Sequence, residues 1–329
     1  HSIPGSVGIF LNSPAGNVLH TGDFKLDQTP IDGITTDFGA IAEYSRIGVD
    51  LLMSDSTNAN IPTFTPSEAE VGKVLNRIIA QATGRVVIAS FASHIHRMQQ
   101  ICDAAIANGR KVVVTGRSMV QNTDIARRLG YLHISDDNLL DAYYMKDVPP
   151  EQVVVMCTGS QGEPLSALAR IASGNHKTIS IEKGDTVIIS ASPVPGNEKA
   201  VTNIMNLLSK IGADVWDKKR ARVHVSGHAG AEELKIMLSL AKPKAFMPVH
   251  GEAMHLRAHA KLGEATGVPP EQIFILDNGD TLELSAHGVE RGETVQNGIV
   301  LVDGLRVGDT SEEVLNERSN LSEQGFATI

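Results

Sequence analysis

Cysteine is scarce in this sequence, and long apolar runs are missing. Only Cys102 and Cys157 occur among 329 residues, and both lie within apolar segments. Two such residues do not build a disulfide framework, and a reducing cytosol suits them. No apolar run is long enough to cross a bilayer, and no basic segment followed by an apolar one resembles a signal peptide. The sequence therefore predicts a cytoplasmic protein without a membrane partner.

Positive charge is also in short supply. The 29 lysine and arginine residues are outnumbered by 38 acidic ones, which gives a formal net charge of −9. This balance argues against a protein that coats nucleic acid in general, but an enzyme whose basic groups line one groove remains open because binding depends on local charge. A chain of this length with 42% apolar residues can bury a large core and would normally form more than one domain.

Two short segments carry a histidine beside a glycine at the end of an apolar run. The first covers 223–229 with His228, and the second covers 248–252 with His250. Each begins as a run fit for a short strand, and an apparent helix over 231–240 joins them. Neutral imidazole binds metals or shuttles protons, and glycine permits close approach. We therefore expect His228 and His250 to lie near one another at one edge of a sheet.

Two aspartates near the start of the chain repeat this pattern. Residues 7–11 and 17–21 flank a turn-forming run and predict a β-hairpin, which Asp23 follows. Residues 50–53 predict another strand, which Asp55 follows. For either aspartate taken alone, capping a turn at the strand end is the more common role.

From about residue 66 the sequence alternates between helices and apolar strands of the parallel type. Strands are expected over 85–90, 111–115, 153–157, 186–190 and, after the second histidine segment, 273–276 and 281–284. The first helix is expected from Ser67 to Thr83, with Glu70 completing a capping box. This alternation predicts a doubly wound α/β sheet, whose ligands usually lie beyond the carboxyl ends of the strands.

The carboxyl ends of the first four of these strands are unusually polar. The polar segments are 90–97, 116–118, 158–160 and 190–192. Hydroxyls, backbone amides at helix starts, and Arg97 or Arg117 suit a phosphate ligand. Capping of the following helices by serine and threonine explains any one of these segments equally well.

Six residues at the predicted strand ends form a set of imidazoles and carboxylates. They are His1, Asp23, Asp55, His224, His228 and His250. Without a useful cysteine, this is the hard-to-borderline ligand set of catalytic Zn²⁺ or Mn²⁺. Two ions roughly 3.5–4 Å apart can hold a hydroxide and clamp a phosphoryl group. A lone histidine on an apolar strand is nevertheless more often structural than a ligand.

Seven motifs follow one another along the chain. Five of them are His-Ser-Ile-Pro at 1–4, His-Thr-Gly-Asp-Phe-Lys at 20–25, Ser-Asp-Ser-Thr at 54–57, His-Val-Ser-Gly-His at 224–228 and Pro-Val-His-Gly-Glu at 248–252. The other two are Ser-Phe-Ala-Ser-His-Ile-His-Arg at 90–97 and Thr-Gly-Ser-Gln-Gly-Glu-Pro at 158–164. In this order and spacing they closely resemble the ribonuclease J family, in the β-CASP branch of the metallo-β-lactamase superfamily.

The resemblance implies a role for each of the motif residues. His1, Asp23 and His250 are similar to metal ligands, with Asp23 as the carboxylate that bridges two ions. Asp55 is similar to the acidic residue that orients a metal-bound histidine, and His228 to the histidine that stabilises or protonates the leaving oxygen. The residues that resemble RNA-phosphate-binding groups are His224, Ser226, Ser90, Ser93, His96, Arg97, Arg117 and Ser118.

The resemblance also implies an activity and its requirements. The expected enzyme is a zinc-dependent ribonuclease with two Zn²⁺ per active site, for which Mn²⁺ or Mg²⁺ are alternatives. It is expected to cut RNA from 5′ to 3′, or internally, and to leave 5′-phosphates during mRNA decay and rRNA maturation. A homodimer or homotetramer and partners in an RNA-degradation complex are implied as well. The rivals are a nuclease acting on DNA and a catalytically silent RNA-binding or assembly paralogue.

The expected fold is α/β: part of a metallo-β-lactamase αββα sandwich with an inserted doubly wound β-CASP domain. We assign 1–60 and 221–288 to the sandwich, 61–220 to the insertion, and 289–329 to a connector and the start of a truncated C-terminal domain. The family's His-x-His-x-Asp-His motif would lie before His1. Three retained ligands would hold two ions poorly, so we expect this chain alone to be inactive.

Overall fold

The computed structural model contains two compact units, residues 1–275 and 276–329. The residues described are 1–329 except Ser2, Pro195, Ile299, Leu301, 304–305, 308–313, 315–316, 319, 322–324 and 326–329. The connector expected through 289–329 therefore lies partly outside the described residues. The first unit contains every residue that the sequence predicts for the site.

Strands and helices of the first unit largely follow the predicted order. The strands are β1 (Ile9–Ser13), β2 (Gly16–His20), β3 (Leu51–Asp55), β4 (Val86–Ala89), β5 (Lys111–Thr115), β6 (Val153–Cys157), β7 (Thr186–Ile189), β8 (Asp214–Trp216) and β9 (Ala245–Val249). The α-helices are α1 (Phe38–Ile47), α2 (Ala69–Gln81), α3 (Ile95–Ala107), α4 (Arg117–Arg128), α5 (Ala167–Ala172), α6 (Glu198–Ile211), α7 (Ala231–Ala241) and α8 (Ala253–Ala265).

A four-stranded sheet in the order β1-β2-β3-β9 carries the candidate site at one edge. β1 and β2 form the predicted antiparallel hairpin, whereas β3 runs parallel to both β2 and β9. Parallel neighbours end at the same edge, so the residues that follow β2, β3 and β9 meet there. Leu52 and Phe246 are fully buried in a core shared with α1, α7 and α8. This sheet with its helices agrees with the expected part of a metallo-β-lactamase sandwich.

A second sheet has five parallel strands in the order β5-β6-β4-β7-β8. Successive residues of a strand point to opposite faces, and helices cover both faces of this sheet. On one face Val86 and Ile88 pack with α2, α3 and α4, and on the other Val87 and Ala89 pack with α5 and α6. Burial on both sides explains why β4, β6 and β7 are continuous apolar runs. The prediction of a doubly wound α/β sheet is confirmed.

Residues 223–229 form a loop rather than the predicted strand. Val223 and Val225 are buried and alternate with polar residues, which is the pattern typical of a strand. The loop bonds to groups outside any ladder: Ser190 Oγ donates to the Val223 carbonyl at 2.7 Å, and the Ala229 amide donates to the Phe24 carbonyl at 2.7 Å. Burial of the two valines therefore produces the alternation without a neighbouring strand.

Several local expectations also need correction. Helix α2 begins at Ala69 without the predicted capping box, because Glu70 pairs with Arg222 instead of the helix start. Residues 273–276 form only an isolated bridge from Ile273 to Phe246. Helices α1 and α5 and strand β8 are additions to the predicted elements, and α5 has only six residues. Their signals are weak, since α1 buries only Ile41 and β8 has three residues.

Among the residues described in the second unit, two strand pairs are present. β10 (Leu282–Ser285) pairs antiparallel with β11 (Gly288–Arg291), and β12 (Val302–Asp303) pairs antiparallel with β13 (Arg306–Val307). β10 agrees with the predicted strand over 281–284. In the part of the chain that the structure describes, no helix is both long and apolar enough to cross a bilayer. The predicted domain boundaries at 60, 220 and 288 stay predictions.

Candidate metal centre

Four acidic and histidine side chains meet at the edge where β2, β3 and β9 end. One ligand atom from each of Asp23, Asp55, His228 and His250 lies within 4.8 Å of the others. Asp55 is the last residue of β3, His250 follows β9 directly, and Asp23 lies shortly beyond β2. His228 comes from the loop before α7. The structure thus brings His228 and His250 together, with ring centroids 5.3 Å apart.

Asp55 is the most deeply buried member of this group. Its side chain is only 1% exposed. Its Oδ2 lies 2.7 Å from His228 Nδ1, and its Oδ1 accepts from the amide and the hydroxyl of Thr57 at 3.0 and 2.8 Å. Burial alone would raise the pKa of this carboxyl, but the bonds from His228 and Thr57 outweigh it and lower the pKa to about 2. Asp55 is therefore an ionised acceptor that can orient an imidazole.

Hydrogen bonds determine which ring nitrogens of two histidines face the centre. His228 donates through Nδ1 to the ionised Asp55, which leaves its Nε2 unengaged by that carboxylate. The Nδ1 of His1 lies 2.8 Å from the Gly227 carbonyl and must donate, because a carbonyl only accepts. When neutral, both rings therefore keep an unprotonated Nε2, the form that binds a metal or accepts a proton.

The position of Asp23 between two histidines suits bound metal ions. Its Oδ1 lies 3.4 Å from His250 Nδ1, and its Oδ2 lies 4.0 Å from His1 Nε2. A tetrahedral Zn²⁺ with bonds of about 2.0–2.2 Å holds neighbouring ligand atoms roughly 3.3–3.6 Å apart. Because different oxygens of Asp23 face the two histidines, this carboxylate is suited to bridging two ions. The 3.4 Å distance from Asp23 to His250 falls within this ligand spacing, whereas the 4.0 Å distance from Asp23 to His1 is longer than it. His1 also lies outside the group of four.

The backbone at His250 adopts an uncommon conformation. Its φ is 55°, in the left-handed region that L side chains rarely adopt. The His250 carbonyl accepts from the Ser56 amide at 3.3 Å and lies 3.2 Å from the Thr57 hydroxyl oxygen, whose single proton is donated at shorter range to Asp55 Oδ1. Its Nδ1 also lies 3.0 Å from the same hydroxyl and 3.2 Å from Asp55 Oδ1. These contacts hold a strained residue in place, a feature that clusters at functional sites.

Sequence reasoning missed several residues that build the site. Thr57 lies two residues after Asp55, where an aspartate commonly bonds the backbone, and that spacing could have identified it. Asn58 Nδ2 donates to Ser226 Oγ and to the His228 carbonyl, both at 2.9 Å. Two further donors hold the same loop: Thr65 Oγ1 bonds the His228 carbonyl at 2.7 Å, and Lys25 Nζ bonds the Ser226 carbonyl at 3.3 Å. These long-range bonds leave no local pattern in the sequence.

His224 and Ser226, both predicted to bind phosphate, lie in this loop. Burial and then the charge of Arg97 lower the pKa of His224 to about 3, so its ring is neutral near pH 7. The Nδ1 of His224 and the Oγ of Ser90 are buried without a hydrogen-bond partner in the described part of the chain. Buried polar atoms normally find partners, and a phosphate oxygen would supply one. Both atoms are closed to solvent in this structure, so the phosphate-binding role of His224 and Ser90 stays a prediction.

The other predicted RNA-binding residues differ in their exposure. Ser93, Arg117 and Ser118 are exposed at the starts of α3 and α4. His96 is largely buried, and its Nε2 lies 3.4 Å from a carboxylate oxygen of Asp32. Burial lowers the pKa of His96 below its usual range. The three exposed residues are thus accessible to a large ligand, whereas His96 faces a carboxylate of its own chain.

Arg97 is buried away from any RNA surface, contrary to the prediction. Its side chain is fully inaccessible, and its guanidinium donates to both carboxylate oxygens of Glu68 at 2.5 and 2.8 Å. Its Nη1 donates to Ser190 Oγ at 2.5 Å and to the Val223 carbonyl at 3.1 Å. The physical reason is that the buried Glu68 carboxylate requires a charged partner. Arg97 therefore supports the loop that carries His224 from inside the protein.

Together these groups suit metal-assisted hydrolysis better than covalent catalysis. Asp55 Oδ2, 2.7 Å from His228 Nδ1, orients that ring so that its Nε2 can exchange a proton with a leaving oxygen. A cysteine nucleophile is excluded in the described residues, because burial raises the pKa of Cys102 and Cys157 to about 12. Asp23 and its two histidine neighbours supply the oxygen and nitrogen ligands that Zn²⁺ accepts.

Comparisons with known proteins agree with these features. The sequence matches the profile "Ribonuclease J, beta-CASP domain" over residues 83–208 and the profile "Zn-dependent metallo-hydrolase RNA specificity domain" over 218–276. Ribonuclease J of Mycolicibacterium smegmatis is 49% identical over 100% of this chain and 59% of that protein. Ribonuclease J of Thermus thermophilus is 46% identical over 100% of this chain and 57% of that protein. Ribonuclease J2 of Bacillus subtilis is 43% identical over 100% and 59%. The chain thus spans a little more than half the length of these curated relatives.

Proposed function

We propose that the chain belongs to the ribonuclease J family, which it resembles over its whole length, and that a protein containing it hydrolyses RNA phosphodiester bonds to leave 5′-phosphate products. The observation that carries the proposal is the convergence of Asp23, Asp55, His228 and His250, with ligand atoms within 4.8 Å of one another. Such a group of imidazoles and carboxylates suits catalytic metal ions rather than a structural site, which would be closed and rich in cysteine.

His1, Asp23 and His250 would hold metal, with Asp23 shared between two ions. Zn²⁺ is our proposal for the metal. The profile matched over residues 218–276 is described as zinc-dependent, and the donor set contains the nitrogen and oxygen atoms that this ion accepts. When bound, such ions polarise a phosphoryl oxygen and generate hydroxide near neutral pH. The chain's own contribution is to fix these three side chains at the common edge of β2, β3 and β9.

The remaining residues would act on the scissile phosphate. The Asp55 carboxylate, 2.7 Å from His228 Nδ1, holds that ring so that Nε2 can protonate the leaving 3′-oxygen. Neutral His224 and Ser226 would hydrogen-bond phosphate oxygens. Exposed Ser93, Arg117 and Ser118 would contact more distant parts of the strand.

The cellular setting is proposed on the family relationship. We infer an enzyme of the cytoplasm that trims RNA from a 5′-monophosphate end and also cuts internally, in mRNA decay and rRNA maturation. Assembly into dimers or tetramers, and association with other RNA-degrading proteins, belong to the same proposal.

The test uses a protein of the relatives' length that contains this chain. Cleavage of a 5′-monophosphorylated RNA is followed in wild type, His228→Ala and the control His133→Ala, whose histidine is exposed. Loss of a general acid should slow cleavage by about 10²–10⁴-fold, while the control retains the wild-type rate. Unchanged cleavage in His228→Ala would remove that residue from catalysis. A DNA strand of the same sequence is the second substrate, because only RNA offers a 2′-hydroxyl. Equal cleavage of both strands would contradict an RNA-specific enzyme.

A further inference from the structure

A separate cleft lies where β5 and β6 end in the five-stranded sheet. Its volume is about 510 Å³, and the residues that give it polar character are Arg117, Thr158, Arg170 and His176. A cleft of this size can hold a nucleotide, since small-ligand sites range over about 300–1,000 Å³. None of these residues belongs to the candidate metal centre. The cleft is therefore a distinct place at which a ligand could bind.

The two arginines of this cleft are free to bind an anion. Arg117 and Arg170 are exposed, and within the described residues neither guanidinium has a hydrogen-bond or ion-pair partner. The two arginines in the last turn of the same helix are paired instead: half-buried Arg127 with Asp136, and exposed Arg128 with Asp124. None of the described residues that line the cleft is acidic. Two unpaired positive charges thus face the same cleft in a chain whose net charge is −9.

His176 serves as part of the wall of this cleft. Its Nδ1 accepts from the amides of Thr178 and Ile179 at 3.4 and 3.2 Å, so its Nε2 carries the proton and donates to Thr115 Oγ1 at 3.1 Å. Burial and the charge of Arg170 lower the pKa of His176, so the ring is neutral near pH 7. With both ring nitrogens engaged, the anion-binding capacity lies with the two arginines.

The start of α4 adds backbone donors to the same cleft. Gly116 precedes the helix with φ 96°, and no side chain caps the first turn. A side chain at this position would collide with Thr158, because a Cβ would lie 2.4 Å from its Oγ1. Glycine therefore leaves the first-turn amides of a 12-residue helix uncovered beside Arg117. Uncapped amides at the positive end of a helix dipole favour an anion.

We propose that this cleft binds a phosphate group of a single-stranded RNA, held between Arg117, Arg170 and the start of α4. The inference rests on the proposed function and adds a second anchoring point, remote in sequence from the metal ligands. Guanidinium groups match phosphate in charge and in the geometry of paired N–H donors. A free phosphate or a released nucleotide offers the same chemistry and is the other source to be tested.

Binding of a fluorescently labelled single-stranded RNA to this chain, measured by anisotropy across a salt series, tests the proposal. The variant is Arg117→Gln/Arg170→Gln, and the charge-matched control is Arg77→Gln/Arg128→Gln on α2 and α4. Each phosphate contact to a single strand contributes about 0.7 to the slope of log affinity against log salt. Because the two arginines hold one phosphate, losing both should lower that slope by about 0.7, whereas the control should retain it. Circular dichroism confirms that the exposed substitutions leave the fold intact.

Two further measurements separate the sources of phosphate. Inorganic phosphate and a nucleoside monophosphate are titrated into the same proteins by calorimetry. If either binds through the two arginines while the RNA slope stays unchanged, the strand-binding proposal is overturned. Equal slopes in the variant and in wild type with no phosphate binding overturn it as well. Failure of the two proposals can be told apart, because metal-dependent cleavage is measured on wild type and His228→Ala, which both keep Arg117 and Arg170.

Discussion

Arg97 offers a sharp test of how the site loop is supported. Replacement of Arg97 by methionine removes both bonds to Glu68 and the bonds to Ser190 and Val223. The Glu68 carboxylate, only 3% exposed, then keeps Gln100 Nε2 at 2.8 Å and His94 Nε2 at 3.6 Å as neutral neighbours. Breaking a buried ion pair by removing one partner costs about 3–5 kcal/mol, because an uncompensated charge stays buried. We expect a loss of that size in the free energy of unfolding.

Urea denaturation of a double-mutant cycle measures this cost. Arg97→Met and Glu68→Gln each leave one polar partner buried, whereas the double substitution removes both charges. The double substitution should therefore cost clearly less than the two single losses added together. A loss below about 1 kcal/mol in Arg97→Met would refute the assignment of this pair as a buried support.

A milder substitution links the pair to the site. Ser190 Oγ accepts from Arg97 at 2.5 Å and donates to the Val223 carbonyl at 2.7 Å. Ser190→Ala removes both bonds and should cost about 1–3 kcal/mol, since the Val223 carbonyl loses one donor. Amide hydrogen exchange over 223–229 should accelerate more than exchange in β6, which is buried throughout. Uniform acceleration across the protein would contradict a local role.

Two further predictions concern a glycine and a buried histidine. Gly230→Ala should cost about 2–3 kcal/mol in urea denaturation, because a Cβ would lie 1.9 Å from the Thr63 carbonyl oxygen. The control Gly130→Ala, at φ 75° in open space, should cost about 1 kcal/mol. Burial lowers the pKa of His259 from 6.5 to about 3. Between pH 6.5 and pH 3 the unfolded chain therefore binds a proton at this histidine, whereas the folded protein does not. As the pH is lowered through this range, His259 should reduce the free energy of unfolding by about 1.4 kcal/mol per pH unit. In His259→Gln the slope of unfolding free energy against pH should be smaller by the same amount. Equal pH profiles would contradict it.

The sequence carries much of the fold because its signals are local. Continuous apolar runs such as 153–157 predict strands buried on both faces, and β6 has the predicted bounds. Parallel strands must end at one edge, so the convergence of Asp55 and His250 follows from strand order alone. The prediction of a strand over 223–229 is wrong. Val223 and Val225 are buried at alternate positions, as in a strand, but the backbone of this segment is not hydrogen-bonded to any described strand.

The misplaced residues depend on partners that lie far along the chain. The motif at 90–97 predicts that Arg97 binds phosphate. Its actual partners, Glu68 and Val223, are 29 and 126 positions away in the sequence. The bond from Lys25 to Ser226 spans 201 positions. Such contacts join segments that are distant in sequence and are brought together only when residues 1–275 fold, so no local sequence pattern predicts them.

Metal-dependent RNA cleavage by a protein of the relatives' length is the measurement that tests the central claim most directly. Wild type and Asp23→Asn are compared on a 5′-monophosphorylated RNA, with a chelator and with Zn²⁺ restored. Loss of a shared metal ligand removes several kcal/mol of transition-state stabilisation, which corresponds to a rate loss of about 10²-fold or more. We predict that loss in Asp23→Asn, together with chelator inhibition that Zn²⁺ reverses in wild type. Cleavage at the wild-type rate in Asp23→Asn, or cleavage that persists in chelator, would contradict the proposed metal centre.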